Sequence, residues 1–130
     1  GLYANEKLLQ QSAKQPPVIL FNSELSSPQW MKQHFSDSQV AYRIDDVGSM
    51  AVAAAQGHGV AKLPCFIGDT QLGLIRLDYE LEKSKWGIWL LNHVDLRTTA
   101  RVRACKEFLQ QLVENSSGLF EGRRSNYWRE

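Results

Sequence analysis

Residues 40–64 read VAYRIDDVGSMAVAAAQGHGVAKLP, and this stretch decides the fold. Val40 to Ile44 spells a strand. Asp45 or Asp46 then offers a carboxylate to the free N–H groups at a helix start. The helix continues through Met50 into Ala51-Val52-Ala53-Ala54-Ala55, whose small side chains let it lie close against a sheet. Gly57 suits the left-handed position that closes a helix. Gly59 leads into a second strand through Leu63, and Pro64 ends it. Strand, crossing helix and second strand in immediate succession form a unit of a layered α/β fold.

The flanking sequence extends the alternation. Leu2-Tyr3-Ala4 predicts a short strand, and Asn5 caps a short helix from Glu6 to Gln11, which Gln15-Pro16-Pro17 terminates. Val18 to Phe21 is an unbroken apolar run, as in a strand covered on both faces. Asn22 to Ser26 is a polar turn. Ser27 and Pro28 read as N-cap and first helical residue. Trp30, Met31, His34 and Phe35 then recur at helical spacing. Downstream, Leu74–Tyr79 and Trp86–Leu91 predict two more strands. Thr98 or Thr99 opens a final helix with an apolar stripe of Val102, Cys105, Phe108, Leu109, Leu112 and Val113. Arg101, Arg103, Lys106, Glu107 and Glu114 lie off that stripe. Asn115 to Gly118 stops the helix, and residues 123–130 form a polar tail.

A chain of 130 residues with 43% hydrophobic side chains can bury the core of one domain. Fifteen Lys plus Arg against fourteen Asp plus Glu leave a net charge of +1, without the basic excess of a free-standing nucleic-acid binder. No apolar run approaches the ~20 residues of a membrane span, and Gly1 to Asn5 carries no secretory pattern. Cys65 and Cys105 have no paired-ligand spacing and read as free thiols, which points to a reducing cytoplasm.

Few residues advertise chemistry. His34, His58 and His93 lack ligand spacing, so neither metal nor cofactor is expected. Gly57-His58-Gly59 follows a helix and precedes a strand, the reverse of a dinucleotide-binding turn. A Cys65–His93 nucleophile pair has nothing local to activate it, which disfavours an enzyme. More persuasive is the set of loops at the C-terminal ends of the strands, where α/β sheets bind small ligands. There Asn22–Ser27 and Asp45–Ser49 share an edge with Leu63-Pro64-Cys65.

In their order, several motifs resemble the C-terminal part of a LysR-type transcriptional regulator. They are Ile44 to Met50, the turn Gln56 to Pro64, Gly73-Leu74-Ile75-Arg76-Leu77, Gly87 to His93, and Asp95 to Ala104; Phe120-Glu121-Gly122 suits the family's usual end. The resemblance spans residues 1–122. It implies a periplasmic-binding-protein-like (type II) effector-binding domain, cytoplasmic, in which two α/β lobes close on a small molecule. Residues from about 5 to 85 would make the second lobe, 2–4 and 86–91 the hinge strands, and 99–115 the C-terminal helix of the first lobe. Most of the first lobe and the winged helix-turn-helix through which the family meets DNA are absent, so the chain reads as a truncated domain.

Carried over by position, the effector contacts are Asn22, Ser23, Glu24, Asp45, Asp46, Leu63, Pro64 and Cys65. A homo-oligomer is expected through the helix bearing Trp30, Met31 and Phe35. The alternative is a stand-alone α/β binding or interaction module.

Overall fold

The computed structural model of the chain describes residues 1–11, 15–82, 84, 87–123, 125 and 127. Strand β1 (Leu2–Ala4) leads into helix α1 (Glu6–Gln11), and β2 (Val18–Phe21) into α2 (Gln29–His34). Then come β3 (Val40–Ile44), α3 (Val47–Ala55), β4 (Val60–Lys62), α4 (Cys65–Gly68) and β5 (Ile75–Leu77). After a 3-10 turn at Val94–Leu96, α5 (Ala100–Asn115) and α6 (Ser117–Phe120) follow.

The five strands form one mixed sheet in the order β3-β2-β4-β1-β5. Parallel pairing sets Ile19 beside Tyr42 on one side and beside Ala61 on the other. β1 runs antiparallel between β4 and β5, with Tyr3 opposite Ala61 and Arg76. Strand alternation sends successive side chains to opposite faces, and each face has its own core. Leu2, Val18, Leu20 and Val60 pack under Trp30, Met31 and Phe35. Tyr3, Ile19 and Ala61 pack under Met50, Ala51 and Ala54, with Leu63 beside them. This two-sided cover explains why Val18 to Leu20 is a continuous apolar run, each residue 0% exposed.

The α3 boundaries follow capping chemistry. Asp46, not Asp45, is the N-cap: its Oδ2 accepts from Ser49 N at 2.7 Å. At the other end Gly57 has φ +83°. The His58 N–H donates to Ala53 O and the Gly57 N–H to Ala54 O, at 3.1 and 3.0 Å, which closes a Schellman turn. Gly59 is constrained by closeness instead. A Cβ there would lie 2.9 Å from the Pro17 carbonyl oxygen and 3.1 Å from Ile19 Cγ1. Gly59→Ala should therefore push β4 away from β2 and cost about 1–3 kcal/mol. A urea midpoint unchanged from wild type would contradict that.

Several sequence expectations need correction. Residues 87–93 form no strand, and Trp86 lies outside the described residues, as do Arg124, Trp128 and Arg129 of the tail. Ile88, Trp89 and Leu91 are 61%, 82% and 87% exposed. A β-rich segment becomes a strand only where it finds an edge to pair with, and the edge of β5 is met at Arg76 by Tyr127. Pro64 does more than end β4: it is the N-cap of α4. Ser116 ends α5 and directly heads α6. Trp30, Met31 and Phe35, expected to meet a second copy, are 5%, 5% and 2% exposed and belong to the chain's own core. Their helical spacing reports that core.

The last helix keeps its predicted span and packs on α6. None of its residues is buried, and Phe108 and Leu112 are 63% and 50% exposed. Of its apolar stripe, Val102, Leu109 and Val113 are half-buried, while Cys105, Phe108 and Leu112 are exposed. No helix of the described residues is long and apolar enough to cross a membrane.

Candidate functional site

The connection β2–α2–β3 steps from β2 to its neighbour on one side, and β3–α3–β4 returns across β2 to its neighbour on the other, with α2 and α3 on opposite faces of the sheet. The crevice outside the C-terminal ends of β2 and β4 is therefore a topological switch point, where open α/β sheets hold ligands. The loops Asn22–Ser27, Asp45–Asp46 and Leu63–Cys65 all leave the sheet along this edge. Asn22 N donates to Ile44 O at 3.0 Å, which ties the first two together. Val47, Met50 and Leu63 share one apolar cluster, which links the second and third.

Within that set, side-chain roles divide sharply. Glu24 is occupied by its own turn: the Phe21 N–H donates to its Oε2 at 3.3 Å, and its backbone carbonyl accepts from the Arg43 guanidinium. Asp46 is occupied by α3, where the bond from Ser49 N holds its carboxyl below the usual carboxylate range. Leu63 is 2% exposed and serves the core. Cys65 is half-buried, and a Cβ on Gly122 would lie 2.7 Å from its Sγ, so the C-terminal turn covers it. Asn22, Ser23 and Asp45 remain exposed on the rim, with Pro64 half-exposed.

The capping role of Asp46 has a testable pH dependence. A carboxyl whose pKa is lowered by folding stabilises the fold above its unfolded value of 3.8 and ceases to do so as pH falls through the folded value. Asp46→Ala should lower the melting temperature at neutral pH, and the deficit should shrink below pH 3.8. Asp46→Asn, which keeps an acceptor, should recover most of the loss. A deficit independent of pH would count against the cap.

At the same edge, on the α2 face, an open cleft of about 170 Å³ lies between the end of β4 and the start of α2. Pro28, Trp30 and Leu81 form its apolar walls; Gln29, Gln33, Lys62 and Glu82 supply polar groups. Trp30 Nε1 is buried, with no hydrogen-bond partner among the described residues. An orphaned buried donor of this kind costs about 1–3 kcal/mol. A second cleft, at Asn5, Lys7, Gln11 and Gln56, lies on the opposite edge, where α3 ends and α1 begins.

The sequence reading missed the polar groups of the first cleft. Lys62 carried a usable signal, being a charge in an otherwise apolar strand and on the face shared by Val60 and Leu2. Glu82 carried none, because it reaches the cleft only through the path of the chain after β5.

The Cys65–His93 pair is not assembled. His93 Nδ1 lies 3.3 Å from Asp95 N and 3.2 Å from the Asp95 carboxylate, within its own turn. The described residues contain no group of three metal-binding side chains. No protein family, curated protein or solved structure matches the chain.

Proposed function

We propose that the chain is a ligand-sensing lobe of the LysR type, the second lobe of a type II periplasmic-binding-protein-like domain. In this reading it grips a small-molecule effector from one side without transforming it. The observation that carries the proposal is the switch-point edge: a rim of exposed Asn22, Ser23 and Asp45 beside an open cleft walled by Pro28, Trp30 and Leu81. The uncovered apolar side chains of residues 88–91 and α5 also support it, since a lobe that works against a counterpart presents such surface. Signalling would need only a difference in effector affinity between open and closed arrangements, passed to a DNA-binding winged helix-turn-helix.

One lobe covers one side of a ligand, well short of the roughly 70–90% burial of a complete pocket. Affinity on the order of millimolar is expected. The test is an NMR titration of the isotope-labelled chain with a panel of polar metabolites. Shifts should gather at Asn22, Ser23, Asp45 and Pro28–Trp30. Micromolar binding, shifts confined to other surfaces, or turnover of a compound would overturn the proposal.

A further inference from the structure

The chain after α5 folds back onto the sheet as a strap, held among the described residues mainly by polar contacts. Arg76 is the hub. Its guanidinium donates to Gly122 O at 3.0 Å and to Ser125 Oγ at 2.8 Å, and it lies 5.1 Å from the centre of the Tyr127 ring. Ser125 Oγ in turn donates to Asp69 Oδ2 at 2.8 Å. The rings of Phe66 and Phe120, 5.3 Å apart, add an apolar contact. Tyr127 makes an isolated parallel bridge to Arg76 on the edge of β5.

Beneath the strap lies Cys65, in the third loop of the switch-point edge. Gly122 is buried against it with φ +69°. A Cβ on Gly122 would lie 2.7 Å from Cys65 Sγ and would collide with the Arg76 guanidinium. Glycine suits that seat both in backbone conformation and in space. Neither α5 nor α6 contains a buried residue, whereas Val18, Ile19 and Leu20 of the sheet are 0% exposed. A segment with little apolar burial, held mainly by hydrogen bonds, opens at a lower free energy than the core.

We infer that this strap is a latch: closed, it covers Cys65 and meets the edge of β5, and it opens as a unit while the sheet stays folded. Opening frees the Cys65 side of the switch-point rim, so a closed latch restricts what the rim can hold. That regulatory role rests on the ligand-binding reading above; the latch itself does not.

The experiment labels Cys65 with dithiodipyridine, a chromogenic aromatic disulfide, in the Cys105→Ser chain, where Cys65 is the remaining thiol. Labelling should be slower than in the urea-unfolded chain by about tenfold or more. Gly122→Ala unseats the strap without altering the sheet, and Arg76→Gln removes the hub. Each should speed labelling about tenfold, as expected for the loss of one or two hydrogen bonds. Arg101→Gln, on α5 and outside these contacts, should leave the rate unchanged. Amide exchange at Val18, Ile19 and Leu20 should stay as slow as in the wild type throughout.

A wild-type rate equal to that of the unfolded chain would overturn the latch, as would a rate that Gly122→Ala leaves unmoved. Faster labelling matched by an equal loss of protection at Val18, Ile19 and Leu20 would also overturn it, because the whole domain would then be opening. No ligand enters the measurement, so the latch can fail while the rim still binds a metabolite, and the rim can prove inert while the latch stands.

Discussion

Phe35→Ala should remove about 3–5 kcal/mol of folding stability, whereas Phe108→Ala should change it by less than about 0.5 kcal/mol. The two residues are chemically identical and sit at the same kind of helical spacing. Phe35 is 2% exposed and meets the Trp30 ring edge-on at 6.1 Å and the Tyr79 ring at 5.5 Å. Removing it opens a cavity at the centre of the α2-side core, which the surrounding strands cannot close. Phe108 is 63% exposed on α5, so its removal takes nothing out of the interior. Total stability for a domain is about 5–15 kcal/mol, so the first variant should be largely destabilised at room temperature. Urea unfolding of both variants is the measurement. Equal losses would mean that the α5 stripe is packed in solution.

A second large effect is expected where the C-terminal turn is fastened to the sheet. Tyr3 is 1% exposed, and its hydroxyl donates to Asp69 Oδ1 at 2.7 Å. Ser125 Oγ donates to Asp69 Oδ2 at 2.8 Å, and the Arg76 guanidinium donates to Ser125 Oγ at 2.8 Å and to Gly122 O at 3.0 Å. Asp69→Ala leaves the Tyr3 hydroxyl without its acceptor and releases Ser125. The cost should be about 1–3 kcal/mol, with faster amide exchange at Gly122 and Arg123. Tyr3→Phe removes the buried donor along with its need for a partner and should cost less.

The same site predicts alkaline sensitivity. Burial first, then the bond to the Asp69 carboxylate, push the Tyr3 phenol well above its ordinary value of 10.0. A group whose pKa is raised by folding stabilises the native state fully below its unfolded pKa and loses that contribution as pH rises above it. Stability should therefore fall above pH 10, and Tyr3→Phe should flatten the decline. A wild-type stability that stays level into that range would contradict the assignment.

Much of the fold was legible because local chemistry and global architecture agree. The apolar run at Val18, the carboxylate before Val47 and the glycine after Gln56 each identify an element without reference to the rest of the chain. The edge where the strands end was legible for the same reason, since strand direction follows from strand–helix–strand order. Which rim residues stay free was not. Asn22, Ser23, Glu24, Asp45 and Asp46 are equally polar in sequence. Only the folded turn shows that Glu24 bends back to the Phe21 N–H and that Asp46, not Asp45, caps α3.

Trp30, Met31 and Phe35 illustrate the limit most clearly. Their spacing shows that one face of α2 is apolar, and periodicity is silent on what covers that face. The β-rich residues 87–91 are the converse case, with strand composition but no strand partner among the described residues. Sequence by itself determined most of the elements, their order and the layered α/β class, because capping, turn chemistry and periodicity act over a few residues. Tertiary structure alone decided which apolar faces are covered and which polar groups converge beside Trp30, because burial and convergence are set by neighbours distant in the chain.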